Sequence, residues 1–302
     1  MIIDCAIIGG GPAGMNAALV LGRARRKVIL FDDNKPRNAV TQHSHGFITR
    51  DGVSPSEFRA ISQQEISKYP SVEMRSARIE TVTKQGNGFE LVSDKGERFE
   101  AANIMLATGF QEILPAVEGI YDYYGKSLFN CPFCDGWELR DKPLVLIAEN
   151  EMMATHIPKM LYNWSRDIVV CTNGNRVVNE EQKAFFHKYG IGLVEEKITG
   201  LAGKNGQLER VMFENHQDIK RVGGLVGVQW KQATTIGQDL GCELSALGGI
   251  VTDDFGRTNI KGVYAAGDTS TIMPSQLIFA AAGGSKAAAG LTGDLIMNYF
   301  AS

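Results

Sequence analysis

A chain of 302 residues is long enough for two domains of ordinary size, each with its own buried core. Its 44% hydrophobic and 22% charged residues are the composition of a soluble globular protein. The net charge of −3 gives no basis for a nucleic-acid partner or for binding to an anionic membrane surface.

The two ends of the chain carry no targeting or membrane pattern. A strand-like run follows Met1 directly, so we expect no signal peptide before the fold. Lys286 and Asp294 interrupt the apolar stretch 278–297, which predicts a buried helix rather than a membrane span. Five cysteines without a secretory signal fit the reducing cytoplasm.

The N-terminal segment has the order of a nucleotide site. Residues 2–8 form a continuous apolar run, which predicts a parallel strand covered on both faces. The turn that follows satisfies G-x-G-x-x-G and consists of Gly9, Gly10, Gly11, Pro12, Ala13 and Gly14. A helix-like segment (15–23) and a second strand (27–31) come next. This order favours a dinucleotide-binding site over an ordinary glycine-rich turn. In such a site the glycines let the backbone approach a pyrophosphate, and an acidic residue after the second strand binds the ribose. Asp32 is the predicted ribose ligand, and Asp33 is the alternative.

The pattern changes to short alternating strands between Val72 and Ala107, separated by turn-like segments at 85–88 and 94–96. This pattern predicts an antiparallel meander. It ends in the apolar run 104–107, which is followed by Thr108 and Gly109.

Cys131 and Cys134 are separated by two residues, a spacing that can close and reopen a disulfide with little backbone movement. Asp135 follows and could exchange a proton with a leaving thiolate. The alternatives are half a zinc site or a structural disulfide. A zinc site usually needs a second such pair, and a disulfide across so short a loop gains little stability. Redox chemistry is therefore the favoured interpretation.

The second half repeats the strand–helix order without the glycine motif. The strand 143–148 is followed by 149–154, which contain no glycine and two glutamates. Side chains there block the approach of a pyrophosphate, and carboxylates repel phosphate. The next helix is predicted to run to about Trp164 and is followed by the strand 167–171. Arg176 is the only basic residue close to the end of that strand. These features predict that a Rossmann-like fold is kept while the nicotinamide nucleotide site is lost.

A second meander is predicted from Leu193 to about Val228, with its exit at 229–232. Far downstream, the apolar strand 262–266 closes on Gly267 and Asp268. Together with the N-terminal motif, these pieces resemble the flavoproteins with two dinucleotide-binding domains. That resemblance implies FAD, with Gly267 and Asp268 near the ribityl phosphate and the motif Ala107, Thr108 and Gly109 at the domain exit.

The position of the cysteine pair narrows the resemblance to the low-molecular-weight thioredoxin reductases, whose motif also continues with Asp-Gly. The resemblance implies that Cys134 faces the flavin, Cys131 exchanges with the disulfide substrate and Asp135 is the acid–base group. It also implies that Gln276 contacts the flavin ring and that the chain forms a homodimer. Because residues 149–154 lack the family's glycine motif, NADPH is not expected to be an efficient electron donor.

A further segment resembles the thioredoxin-reductase-like branch that includes the gliotoxin-type dithiol oxidases. It contains Arg37 and Asn38, then His45 with Gly46 and Phe47, and 50–52. His43 and His45 are candidate bases near the flavin, but loop residues that position FAD are the favoured interpretation. These oxidases have histidine where this chain has Asp135, which keeps the oxidase function as the alternative.

The predicted fold class is α/β, with two Rossmann-like domains, each carrying an antiparallel meander. The FAD domain is expected at 1–115 plus 246–302, and a central domain with the cysteine pair at 116–245. The predicted function is an FAD-dependent thiol–disulfide oxidoreductase acting on a disulfide- or dithiol-bearing protein or small molecule. A ferredoxin- or flavodoxin-like protein is a candidate donor, since NADP(H) is disfavoured. Alternatives are an oxygen-dependent dithiol oxidase and a flavin-bearing redox sensor; no metal, nucleic acid or membrane is expected.

Overall fold

The computed structural model describes residues 3–301. The first residue of the predicted strand 2–8 therefore lies outside the described residues. The strands are β1 (Cys5–Ile8), β2 (Val28–Asp32), β3 (Val72–Ser76), β4 (Ile79–Gln85), β5 (Gly88–Ser93), β6 (Arg98–Ala101), β7 (Ile104–Leu106), β8 (Phe110–Ile113), β9 (Leu128–Phe129), β10 (Leu144–Ile147), β11 (Ile168–Cys171), β12 (Gly192–Val194), β13 (Ile198–Lys204), β14 (Gln207–Phe213), β15 (Ile219–Lys220), β16 (Gly223–Val226), β17 (Gln229–Gln232) and β18 (Val263–Ala265). The helices are α1 (Pro12–Arg23), α2 (Pro55–Ile66), α3 (Ile120–Tyr123), α4 (Pro132–Leu139), α5 (Glu151–Leu161), α6 (Glu180–Tyr189), α7 (Ile236–Asp239) and α8 (Leu277–Ala301), with 3-10 turns at Arg37–Val40 and Gly267–Thr269.

The described residues form two compact units, of which the first contains residues 3–39, 46–111 and 230–301. Its main sheet is parallel, in the order β18-β7-β1-β2-β3. Side chains alternate between the two faces of a strand. Ile7 accordingly packs with residues of α1 and α8, whereas Ile8 packs with residues of the antiparallel sheet β4-β5-β6. The sheet is therefore covered on both faces, as the continuous apolar run predicts.

The second unit contains residues 40–45 and 112–229. Its main sheet is again parallel, in the order β12-β11-β10-β16-β9, and the antiparallel sheet β13-β14-β15 belongs to the same unit. Residues of β10 and β11 form one core cluster with apolar residues of α4, α5 and α6. The predicted fold class, two Rossmann-like domains with an antiparallel meander each, is confirmed.

The predicted meander ranges, 72–107 and 193–228, wrongly include strands of the two main parallel sheets. β7, at the end of the first range, pairs with β1, and β16, near the end of the second, pairs with β10. β3 pairs in parallel with β2, and β12 pairs in parallel with β11, so each extends a main sheet. Both lie at the edge of their sheets in the strand order. β3 contains Glu73 and Arg75 and is largely exposed, so its sequence resembles a strand of a half-buried antiparallel sheet. β12 has only three residues, too few to show the long apolar run of a buried parallel strand.

The chain passes between the units through β8 and β17, which pair as a two-stranded sheet. The second passage falls at residues 229–230, earlier in the chain than the expected boundary near 246. Residues 40–45 group with the second unit, although the segments on either side belong to the first. No compositional signal in this segment predicts the short excursion.

The predicted C-terminal helix is α8, which extends beyond the expected range to 25 residues. Gly284 of α8 lies so close to Ala13 of α1 that a Cβ at this glycine would collide with the Ala13 carbonyl oxygen. The contact positions α8 against the N-terminus of α1. Across residues 3–301, no helix is sufficiently long and apolar to cross a membrane.

Candidate functional site

The glycine-rich turn joins β1 to α1 at the carboxyl edge of the first sheet. Gly9 has a φ of 107°, which side chains rarely adopt, and a Cβ there would collide with the Ala107 carbonyl oxygen. A Cβ at Gly14 would collide with the Gly9 carbonyl oxygen. At Gly11, in contrast, a Cβ would meet no described protein atom within 4 Å. The turn therefore holds the backbone tightly at its two ends and leaves space beside Gly11.

That space lies at the N-terminus of α1, where Gly11 is the N-cap residue and no side chain caps the helix. The first backbone N–H groups of a helix have no partner within the helix, and phosphate oxygens accept from such groups. Pro12 occupies the first turn, where its fixed φ favours helix initiation. The turn therefore fits a pyrophosphate.

Asp32, at the end of β2, lies beside this turn, since a Cβ at Gly10 would be 2.5 Å from its Oδ2 atom. The Arg59 guanidinium of α2 donates to Asp32 and also to the Gly10 carbonyl oxygen, at 2.7 Å. Asp33 points elsewhere, with its Oδ2 atom 3.6 Å from Arg78 Nη1. Asp32 therefore has the better position for a ribose ligand. Sequence reasoning missed Arg59, which lies outside any motif.

The late motif forms a second polar group in the same unit. Arg37 Nη2 donates to Asp268 Oδ2 and to Ser275 Oγ, each at 2.8 Å, and Ser275 also donates to Asp268. The Trp230 ring lies 5.1 Å from the Arg37 guanidinium carbon. A Cβ at Gly267 would lie 2.7 Å from the Ala13 Cβ. The fold thus brings Arg37 and Asp268 together near the start of α1, and adds Ser275 and Trp230, which the sequence did not indicate.

The short motif at the exit of β7 contacts both parts of this site. The Ala107 carbonyl oxygen lies against Gly9, as described above. The Gly109 N–H donates to Thr269 Oγ1 at 2.6 Å, and the hydroxyl groups of Thr108 and Thr269 are 3.3 Å apart. The exit motif therefore joins the glycine-rich turn to the late motif.

The remaining predicted cofactor residues are placed differently. Asn38 lies next to Arg37 in the 3-10 turn, and Gln276 immediately precedes α8, where its carbonyl oxygen accepts from the Ala280 N–H at 3.0 Å. His45 lies in the segment that groups with the second unit. The roles of these residues remain predictions.

The first unit fits FAD on its own geometry. Space beside Gly11 at an uncapped helix N-terminus matches a pyrophosphate, and Asp32 at the tip of the next strand matches a ribose. Asp268 and the backbone around Gly267 supply acceptors and donors nearby. When bound, the flavin supplies two-electron transfer to or from a dithiol.

A Gly11→Val substitution tests the cradle. A Cβ at this position meets no described protein atom within 4 Å, so the variant is expected to fold, but its side chain occupies the volume of the pyrophosphate and FAD is lost. The measurement is the flavin absorbance per chain after purification, together with the far-UV circular dichroism. Gly293→Ala is the matched control, because its Cβ also meets no described atom within 4 Å, and it should retain FAD. A yellow Gly11→Val protein would contradict the assignment.

The cysteine pair lies at the start of α4 in the second unit. Cys131 is the N-cap residue, Cys134 lies in the first turn, and the two form a disulfide with Cα atoms 5.3 Å apart. The N–H groups of Cys134 and Asp135 donate to the Cys131 carbonyl oxygen at 3.3 and 3.2 Å. Pro132 at the first helical position favours initiation directly after Cys131. Since the positive end of a helix dipole lowers thiol pKa values, this position favours a thiolate after reduction.

Asp135 has an unusual protonation equilibrium. Burial, and then the negative charge of Glu138, raise the pKa of Asp135 to about 7. A carboxyl group with this pKa is present in both protonation states near neutral pH, which suits it to donate and accept protons. His45 Nε2 lies 3.8 Å from Glu138 Oε1 in the same unit.

The other cysteines differ from this pair. Cys5, Cys171 and Cys242 are buried free thiols, and burial raises the pKa of each. Raised thiol pKa values disfavour the reactive thiolate. Across residues 3–301, no three His, Cys, Asp or Glu side chains are arranged to hold a metal ion.

The carboxyl edge of the second sheet is occupied by the protein's own side chains. Glu149 Oε1 accepts from Asn173 Nδ2 at 2.7 Å, and Glu151 Oε1 accepts from Gln182 Nε2 at 2.8 Å. Asn150 caps α5, since its Oδ1 atom accepts from the Met153 N–H at 3.0 Å. The Asn150 side chain therefore takes up one N–H group at the start of α5 that a phosphate would otherwise use, and neighbouring side chains hold the two carboxylates at this edge.

Comparison with known proteins supports this description. The model of the family described as pyridine nucleotide-disulphide oxidoreductase matches residues 3–284. A Bacillus anthracis protein assigned as the thioredoxin reductase TrxB has a crystal structure with a TM-score of 0.95 and 46% identity, over 98% of this chain and 99% of that chain. The crystal structure of HlmI has a TM-score of 0.94 and 30% identity, over 99% of this chain and 94% of that one. An Arthroderma benhamiae protein assigned as a thioredoxin reductase is 35% identical over 62% of this chain and 47% of its own length, so this chain spans about half of that relative.

Proposed function

Since this chain belongs to the pyridine nucleotide-disulphide oxidoreductase family and has the fold of a thioredoxin reductase, we propose that it is an FAD-dependent thiol–disulfide oxidoreductase acting through Cys131 and Cys134. The single observation that carries the proposal is the disulfide at the N-terminus of α4. The FAD cradle of the first unit supplies the partner that such a pair needs. The substrate is a disulfide- or dithiol-bearing protein or small molecule.

The roles of Cys131, Cys134 and Asp135 follow from their chemistry and from the family resemblance. Cys131 exchanges with the substrate, and Cys134 is the thiol that serves the flavin. When the disulfide is reduced by two electrons, the S–S bond breaks and two thiolates form. Asp135 in its protonated form gives its proton to one of them, and in the opposite direction it accepts that proton.

The electron donor is proposed to be other than NADPH, because the carboxyl edge of the second sheet carries Glu149 and Glu151 instead of glycines. A small ferredoxin- or flavodoxin-like protein fits a reductase, and the substrate dithiol itself fits an oxidase. The oxidase is the second candidate function, favoured by this same occupied edge. Hydrogen peroxide produced in steady state from dithiols and oxygen would support it; Asp135, in place of the histidine of those oxidases, weighs against it.

The oligomeric state and the cellular location of the enzyme are also proposals. We infer a homodimer from the family resemblance, and the cytoplasm from free buried cysteines outside the redox pair. Sedimentation of the purified protein tests the first, and a compartment-specific redox state of the Cys131–Cys134 pair tests the second.

An anaerobic reductive titration tests the proposed function. Wild-type protein should take up two electrons beyond those of the flavin, because a disulfide is a two-electron couple. The Cys131→Ser, Cys134→Ser double variant should lose this extra capacity and all disulfide exchange while retaining FAD. Cys242→Ser, which removes a thiol elsewhere in the chain, should leave the count unchanged. Equal uptake in the wild type and the double variant would rule out the pair.

A further inference from the structure

The face of α4 that begins at Cys131 continues for one more turn. Cys131, Cys134, Asp135 and Glu138 are spaced by three and four residues, which places them along one side of a helix. Phe133 and Trp137 are exposed outside this set. The redox pair and the two carboxyl groups therefore form one continuous stripe.

The segment 40–45 contributes to the end of this stripe. It belongs to the second unit although its neighbours in the chain belong to the first. His45 Nε2 lies 3.8 Å from Glu138 Oε1, and the rings of His43 and His45 are 6.3 Å apart. An imidazole is thus held next to the carboxylate that acts on Asp135.

We propose that His45 is a positioning residue of the dithiol chemistry, which adjusts the protonation of Asp135 by balancing the charge of Glu138. The inference rests on the proposed function. Ionised Glu138 favours the protonated, proton-donating form of Asp135. A protonated imidazole beside Glu138 opposes that charge and favours the ionised form. Beside the larger effect of burial, the pair His45–Glu138 therefore adjusts the pH at which Asp135 stops donating.

The other charged groups near α4 are engaged elsewhere or exposed. Lys142 Nζ donates to the Glu138 backbone carbonyl at 2.7 Å, and Arg140 lies 4.0 Å from the Trp137 ring. On α5, Glu151 accepts from Gln182, Lys159 lies over the Phe185 ring, and His156 is exposed. β16 consists of glycine, leucine and valine. Glu138 and the histidines of 40–45 are consequently the groups to test.

The test uses thiol–disulfide exchange with dithiothreitol, which involves no flavin step. One reagent thiolate attacks Cys131 Sγ, the Cys131–Cys134 bond breaks, and Cys134 takes the electron pair and the Asp135 proton. The second reagent thiol then displaces Cys131, so the reagent ends as a cyclic disulfide and the pair as two thiols. Rates are measured anaerobically on the FAD-loaded protein by acid quench and thiol labelling, and are divided by the reagent thiolate concentration at each pH.

The normalised rate should fall as the pH rises through the pKa of Asp135. Glu138→Gln should move this fall to lower pH, and His45→Gln should move it to higher pH. Each shift should be about half a pH unit, the size expected of one partly exposed charge pair. His45→Arg keeps a positive charge at all pH values and should move the fall to lower pH.

Controls separate the failure of this inference from the failure of the proposed function. His156→Gln removes an exposed imidazole of the same unit and should leave the profile unchanged. If the wild-type disulfide does not exchange at all, the proposed function fails. If it exchanges but His45→Gln and His45→Arg leave the profile in place, or if His45→Gln loses FAD, then His45 has a structural or cofactor role and the inference is overturned.

Discussion

NADPH mixed anaerobically with the FAD-loaded protein is expected to leave the flavin oxidised at micromolar concentrations, and NADH is expected to do the same. A charge-assisted hydrogen bond contributes roughly 1.5–3 kcal/mol. Loss of two such bonds to phosphate weakens binding by roughly 10²–10⁴-fold, since about 1.4 kcal/mol is a factor of ten. Flavin bleaching in a stopped-flow spectrometer measures this directly.

The structure of the second unit explains why NADPH and NADH are expected to bind so weakly. In the first unit, α1 begins at a bare glycine, whereas α5 begins at Asn150, whose side chain already accepts the Met153 N–H. Glu149 and Glu151 are held at this edge by Asn173 and Gln182. The charges at a helix N-terminus stabilise the helix but repel a phosphate. The edge is thus stabilised without a nucleotide.

A pair of substitutions would rebuild the missing motif. Glu149→Gly with Glu151→Gly gives G-x-G-x-x-A, because Ala154 already stands at the last position. This variant should reduce its flavin with NADPH faster than the wild type. The control, Glu180→Gln with Glu181→Gln, removes two negative charges at the start of α6 and builds no cradle. Full reduction of the wild-type flavin within a few seconds at micromolar NADPH would show that the occupied edge does not exclude the nucleotide.

The parts of the site that the sequence predicted are those encoded by local geometry. A glycine at position 9 is needed where φ is positive, and glycines at 9 and 14 where backbone atoms leave no room for a Cβ, so the motif is visible in the residues themselves. The Cys131–Cys134 spacing is likewise local, since a helical turn brings its two ends together. Strand runs that are buried on both faces, such as Leu144–Ile147, were recognisable for the same reason.

The parts that the sequence did not predict depend on tertiary contacts. Arg59 reaches Asp32 from α2, and Trp230 stacks near Arg37 from a strand far along the chain. The placement of His45 beside Glu138 depends on a six-residue excursion that has no compositional signal. The edge strands β3 and β12 fall inside the predicted meanders although they pair in parallel with β2 and β11. The residue pattern of an edge strand reflects its exposure to solvent and does not reveal which strand it pairs with. A single sequence does not contain these distances.

An Asp135→Asn variant is expected to be slower in thiol–disulfide exchange and yet more stable at alkaline pH. Asparagine has no proton to donate to the leaving thiolate, so the exchange rate should fall by roughly 10²–10⁴-fold, and the decline of the rate near pH 7 should disappear. Asp141→Asn is the control, because this exposed carboxylate follows α4 closely and is not part of the stripe. An unchanged rate would exclude Asp135 as the acid.

The expected stability change follows from the same pKa. Burial and Glu138 raise the pKa of Asp135 from its ordinary value of 3.8 to about 7, so the folded protein binds this proton more tightly than the unfolded chain. The resulting stabilisation is complete below about pH 4 and is lost as the pH rises through about 7, by at most about 4 kcal/mol. At pH 8 the wild type therefore contains a buried ionised carboxylate, and the free energy of unfolding of Asp135→Asn should be higher by about 1–3 kcal/mol.

Near pH 4 the two proteins should have the same free energy of unfolding. Urea denaturation of the oxidised, FAD-loaded proteins at both pH values provides the comparison. The same stability difference at pH 4 and pH 8 would show that Asp135 does not titrate in this range, and the residue would then lose its assigned role as the proton donor.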